Sequence, residues 1–297
     1  MPKQVVRNQF DAFPQRLGAA VCLTAVLLGT LFIAACDRSS EVLRRQTEQA
    51  AGGGDRQREL TSAPISPKSL LDDCVRAYQK LSSYQDEAFV RLRYRLDGEL
   101  MEDRAPLSIG WNSKGQIGLR VYSVEAGPTD GRWQLRFRDG DPLVQDQVLS
   151  RALPERVDFP WLLADPLVSE RLSAGLAGFP PQLDLLLNPQ PLSRLIDDSA
   201  AISFRTPTAI DGRACYVISV KRGEAEYLLW IDQASMLLRR LQLPQSNLTP
   251  AMLADKRVSE VGLSIEIRNV LTSGPIDWTR FAVKAAASDR MVSHFVL

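Results

Sequence analysis

The run from Leu17 to Cys36 (LGAAVCLTAVLLGTLFIAAC) contains no charged residue and divides the chain into two parts of different character. Lys3, Arg7 and Arg16 precede it against a single Asp11, and Asp37, Arg38, Ser39 and Ser40 follow at once. A basic start, an apolar core and small residues at its end make a secretory signal. The stretch Leu17 to Ala35 is also long enough to span a bilayer, which takes about 20 residues, so an uncleaved transmembrane helix is the alternative. On either reading the basic start stays on the cytoplasmic side and the remaining chain lies beyond the membrane.

The segment closes on Ile33-Ala34-Ala35-Cys36. This resembles the lipobox of bacterial lipoproteins, in which the small residues fit a peptidase cleft. The resemblance implies cleavage before Cys36, a diacylglycerol on its thiol and acylation of the new amino terminus. Two or more acyl chains anchor stably, at about 0.8 kcal/mol per buried methylene. Residues 1–35 then read as a signal peptide. Residues 36–65 read as the lipidated Cys and a polar tether with a Gly triplet at 52–54, too poor in apolar residues to build a core. A flexible coil of this length reaches roughly 30 Å. The signal and anchor place the protein in the cell envelope, held to a membrane through Cys36 and facing the periplasm or exterior.

Residues 66–297 read as one folded domain. It opens on a helix, with Ser66 as cap, Pro67 in the first turn, and Leu70, Leu71, Cys74, Val75, Tyr78 and Leu81 at three- and four-residue steps. Strands follow. Val90, Leu92, Tyr94 and Leu96 alternate with Arg91, Arg93 and Arg95. Leu107, Ile109 and Trp111 share a face, as do Ile117, Leu119 and Val121, and then Trp133, Leu135 and Phe137. Such strands predict an antiparallel sheet covered on one side only. From Pro160 to Pro191 the pattern becomes helical and apolar, cut by Pro166, Pro180 and Pro181, with a second short helix expected over 191–197. A meander returns over 200–242, then a helix near Pro250–Ala254, a long strand Arg257 to Val270, and a loop with a short strand from Pro275 to Phe281. The fold class is α+β, with short apolar helices packed over the bare face of an antiparallel sheet.

The segments AYQKLSSYQD (Ala77 to Asp86), DGRACYVISV with AEYLLWIDQASMLLRRL (Asp211 to Leu241), and GPIDWTRFAV (Gly274 to Val283) resemble the lipoprotein-carrier and receptor domains of bacterial envelopes, the outer-membrane lipoprotein-sorting-like fold. These motifs are structural; none is a catalytic signature. The resemblance implies a single curved antiparallel sheet, an open half-barrel wrapped around short apolar helices, with a hollow that holds acyl chains, and a tethered member suits a receptor or static binder better than a diffusing shuttle. Trp111, Leu119, Trp133, Leu135 and Phe137 would line that hollow, with an acyl chain, lipid or lipoprotein between the sheet and the proline-broken helices. The alternative is an envelope scaffold or interaction domain of the same fold with its core packed shut and an unknown protein partner.

Enzymatic readings lack residues. His294 is the sole His, and it lies three residues from the end. No metal-binding His pair, P-loop or dinucleotide fingerprint occurs, so no metal or cofactor is expected. Asp72-Asp73 and Asp197-Asp198 are adjacent pairs whose members point to different faces, which suits solvated ends better than a metal site. Removing residues 1–35 takes away three basic groups and one acidic group and shifts the net charge from +1 to −1, which leaves no electrostatic footprint for nucleic acid. Arg91, Arg93 and Arg95 form a stripe that could meet lipid headgroups or simply face water. Asn247-Leu248-Thr249 fits a glycosylation sequon that a bacterial lipobox makes idle. Cys74 and Cys215 remain after the signal, either paired in an oxidising compartment or free and buried.

Overall fold

The structure, a computed structural model, describes residues 65–137, 148–152, 157–197, 199–284 and 290–291. Cys36, the tether, Asp198 and His294 lie outside the described residues. No described helix is long and apolar enough to cross a membrane.

Helix α1 (Pro67–Gln79) starts as its sequence dictates. Ser66 accepts from the Ser69 amide, and Ser69 returns a bond to Ser66, so two of the orphan amides of the first turn are satisfied. Leu70, Leu71, Cys74 and Tyr78 are buried along one stripe. Strands β1 (Ser83–Leu96), β2 (Glu99–Asn112), β3 (Ile117–Val121), β4 (Val124–Thr129), β5 (Arg132–Phe137) and β6 (Val148–Ala152) form the first half of the sheet. Three short helices follow: α2 (Phe159–Ala164), α3 (Pro166–Ser173) and α4 (Pro181–Leu187). The second half is β7 (Ala201–Ile210), β8 (Arg213–Arg222), β9 (Ala225–Asp232), β10 (Leu238–Leu243) and, after α5 (Pro250–Ala254), β11 (Val258–Leu271). A two-residue β12 (Arg290–Met291) lies parallel to β6.

Among the described residues all twelve strands belong to one sheet, in the order β12-β6-β5-β4-β3-β2-β1-β11-β10-β9-β8-β7. Each half is a run of neighbouring antiparallel strands, and the halves meet where β1 pairs with β11 from Gln85↔Leu271 to Leu96↔Val258. The sheet is open, not closed, and wraps around its helices as a half-barrel. Alternation assigns its faces. Tyr84, Ala88, Val90, Leu92, Leu107, Ile109, Ile117, Leu119, Trp133, Leu135, Ile218, Leu229, Ile265 and Ile267 are buried inward on the helices. The opposite face carries ion pairs: Arg91 to Glu102 at 2.5 Å, Arg95 to Glu260 at 2.9 Å, and Arg240 to Glu266 at 2.8 Å. Arg93 also approaches Glu102, at 3.9 Å, so the basic stripe of β1 is matched by acidic neighbours on the same face.

Three expectations need correction. Residues 191–195 form turns instead of a helix. Leu192 takes φ +62°, which an α-helix does not admit, and its amide is held by Asp184 at 2.6 Å. The segment after Pro275 holds a 3-10 turn (Trp278–Arg280), not a strand. The sheet's outer face is not bare either. Residues 274–284 cross it as a strap. Ser83 donates to the Gly274 carbonyl, Gln85 accepts from the Asp277 amide at 2.9 Å, and Arg280 pairs with Glu87 at 2.8 Å. Phe281 then sits over Gly110 of β2, Gly118 of β3 and Gly127 of β4, positions where any Cβ would collide with it at 2.4–2.5 Å. The three glycines make a trench that only hydrogen side chains leave open. Phe281 and Val283 are consequently buried on a face that alternation alone assigns to solvent.

Cys74 and Cys215 are both free and buried. Burial pushes the Cys74 thiol up to about 12, partly offset by a backbone hydrogen bond with Leu238. Such a thiol is protonated at neutral pH and chemically quiet.

Candidate functional site: the hollow and its plug

The five residues expected to line the hollow come together on the inner face. Leu119, Trp133 and Leu135 are fully buried, Phe137 is 7% exposed and Trp111 is 9% exposed. Pairing explains the clustering: Leu119 and Leu135 both oppose Ala126 of β4, and Trp111 opposes Ile117. The small Ala126 leaves room between them. Trp133 donates its indole N–H to the Ile117 carbonyl at 3.0 Å and meets Trp161 of α2 edge to face, with ring centres 5.2 Å apart. The Arg151 guanidinium lies over the Trp161 ring, 4.4 Å from its centre.

Helices α2, α3 and α4 plug the space over these residues with Leu162, Leu167, Val168, Leu172, Leu183 and Leu185, all buried. Each helix is between six and eight residues long, with Pro in its first turn. Asp158 caps α2 by accepting from Trp161, and Asp165 caps α3 by accepting from Val168. Helix α4 has no side-chain cap. The link between α3 and α4 is fixed to the sheet by Tyr122, which donates to the Gly178 carbonyl at 2.6 Å. Tyr122 also packs so close to Gly175 that an added Cβ would lie 2.0 Å from its ring.

One polar cluster interrupts the apolar wall. Asp86 is fully buried and faces inward from β1. It accepts from the Tyr84 hydroxyl at 2.7 Å, from the Ile109 amide at 2.8 Å and from Gln182 Nε2 of α4 at 3.0 Å. Gln182 also donates to the Leu107 carbonyl at 3.3 Å. Opposite them, Ser108 Oγ bonds both the amide and the carbonyl of Ala88. Here residues 86–88 of β1 make no ladder pair with β2, while the register continues unchanged from Gln85↔Gly110 to Phe89↔Pro106, and the β1–β11 register shifts between Gln85 and Glu87, so side chains replace the missing ladder bonds. Burial pushes the Asp86 carboxyl up to about 7, against its three donors and the charge of Arg280. Tyr78 of α1 lies beside Tyr84, ring centres 5.6 Å apart. The Tyr78 hydroxyl and Gln182 Oε1 are both buried without a hydrogen-bond partner. Alternation alone does not reveal Asp86, because a polar residue in a strand reads as outward-facing, and Gln182 is one polar residue in a short helix. The available signal was the register: Asp86 shares its parity with Tyr84 and Val90.

A separate cavity of about 300 Å³ opens at the ends of β9, β10 and β11, bordered by Glu224, Gln242, Leu243, Leu248 and Val261. None of the five expected residues borders it. Among the described residues no group of three or more His, Cys, Asp or Glu is placed to hold a metal. Asp73 pairs with Arg76, and Asp197 with Arg222 at 2.8 Å. Asn247 of the sequon is turned inward and donates to the Leu176 carbonyl at 3.3 Å.

The class defined by this geometry is an open antiparallel half-barrel closed on its inner side by a helical plug. No family model matches the chain, and no curated protein matches it in sequence. Among solved structures it is similar to MucB in complex with MucA(peri), at 13% identity and TM-score 0.33 over 75% of this chain; it spans 60% of that one. It is also similar to a LolA superfamily protein from Nitrosomonas europaea, at 12% identity and TM-score 0.26 over 74% of this chain and 98% of the other. A third likeness is a DUF1329 family protein from Desulfovibrio piger, at 12% identity and TM-score 0.28 over 73% and 98%. Likeness at this level leaves ligand and partner to be argued from the chain's own residues.

Proposed function

We propose that the domain is a non-enzymatic, membrane-tethered envelope module that admits an acyl chain, from a lipid or lipoprotein, between Trp111, Leu119, Trp133, Leu135 and Phe137 and the plug of α2–α4. One observation carries this reading: two buried polar groups, Tyr78 Oη and Gln182 Oε1, stand unpartnered where the plug meets the sheet. An unmatched buried polar group costs about 1–3 kcal/mol, a penalty that an incoming polar headgroup would relieve. The plug suits displacement, since its helices are short, separated at prolines, and in α4 uncapped. Apolar pockets with a few convergent polar groups are where hydrophobic ligands bind. The tether through lipid on Cys36 and an envelope location belong to the same proposal.

The test adds a spin-labelled fatty acid to the delipidated chain from residue 37 onward and follows tryptophan quenching. Saturable quenching that weakens in Leu135→Arg, with the circular dichroism spectrum retained, supports the hollow. A second reading, a packed scaffold that engages an envelope protein, is favoured by the near-complete burial of the same five residues. Absence of saturable binding by any lipid would select it.

A further inference from the structure

We propose that Asp86 is a proton-operated latch that holds the plug helix α4 against the sheet. The geometry is one-sided. Gln182 is the α4 side chain that bonds Asp86, and it bonds the β2 carbonyl of Leu107 with the same nitrogen. Around the carboxyl, α1 presents Tyr78 and, beyond it, Cys74. Strand β1 presents Tyr84 inward and Glu87 outward, and the strap presents Arg280, already paired with Glu87. Helix α4 contributes Asp184, whose carboxylate is taken by Leu192 and Asn188, and β10 contributes Arg239 on the far side of Tyr78. No cation therefore bonds Asp86 directly, and its charge rests on three neutral donors.

Burial raises the proton affinity of this carboxyl while α4 is seated. Lifting α4 admits water and returns it toward the ordinary carboxylate range. The seated state binds the proton more tightly, so protonation favours seating and ionisation favours release. The proton also has somewhere to go. As a carboxylic acid Asp86 donates to Tyr84, which can then turn its own hydroxyl toward Tyr78, now without a partner. The latch acts whether or not an acyl chain ever enters.

Hydrogen exchange of the full chain in detergent, corrected for intrinsic rate, tests it. Protection of amides 183–187 should fall at least tenfold from pH 5 to pH 8, while that of β8 and β9 holds. Asp86→Asn should abolish the pH dependence. Tyr84→Phe, which keeps the ring, should move the midpoint to higher pH by removing a donor to the ionised form. Protection of α4 that is flat across this range in the wild-type chain, or a fall that persists in Asp86→Asn or keeps its midpoint in Tyr84→Phe, overturns the proposal.

Discussion

Phe281 occupies the volume that a side chain on Gly118 would need: its Cγ lies 2.4 Å from where that Cβ would stand. Gly118→Ala must therefore displace the strap or deform β3. Overpacking of this kind costs about 1–3 kcal/mol. Chemical denaturation should show Gly118→Ala destabilised in that range, and much less so in the background of Phe281→Gly, which also removes the Phe281 Cβ that would lie 2.6 Å away. Equal effects in both backgrounds would mean that the strap does not rest on Gly118.

Leu71 is 2% exposed on the stripe of α1 that faces the sheet. Leu71→Ala should lower stability by about 2–5 kcal/mol, the range for truncating a buried leucine. A urea midpoint shifted by less than the ±0.5 kcal/mol typical of surface sites would contradict this packing.

Asp86 sets a pH dependence of global stability. Its carboxyl rises from 3.8 to about 7 on folding, so its contribution is full below about pH 4 and is lost progressively as pH climbs to about 7. Urea unfolding of the wild-type chain should thus show declining stability over that window from this group. Asp86→Asn should flatten the decline and be the more stable of the two at pH 8, if the lost acceptor is replaced by the amide oxygen. A wild-type and variant difference that does not change with pH would refute the raised affinity.

The anchor is tested by metabolic labelling. Labelled palmitate should enter the wild-type protein, and Cys36→Ala should carry none and leave the membrane fraction. A labelled alanine variant would rule out the lipobox reading.

Much of the sheet was legible in the chain, since Val90 and Leu92, Trp133 and Leu135, and Leu263 and Ile265 alternate cleanly with polar neighbours and all face the core. Strand β4 was missed because Val124-Glu-Ala-Gly-Pro-Thr129 carries the two residues least suited to strands. Its Gly127 is there for Phe281, more than 150 residues away, and no local pattern records such a contact. Strand β1 starts at Ser83, well before the alternation that begins at Val90, because Ser83, Gln85 and Glu87 are polar and hold the strap. The lining residues of the hollow could be found by period 2. Its polar latch could not, because it depends on a helix and two strands meeting where the β1–β2 ladder is interrupted at 86–88.

The pairing of β1 with β11 also governs when this fold can form. Residues 83–96 find their central neighbour only in 258–271. A chain emerging from its amino end must keep β1 waiting until most of its length has appeared, because closing so long a loop precedes any reward from the contact. The two halves can assemble as separate meanders, but the seam between them is the ladder of longest sequence separation. Under the proposed export across a membrane, late closure would keep the chain threadable for as long as passage takes.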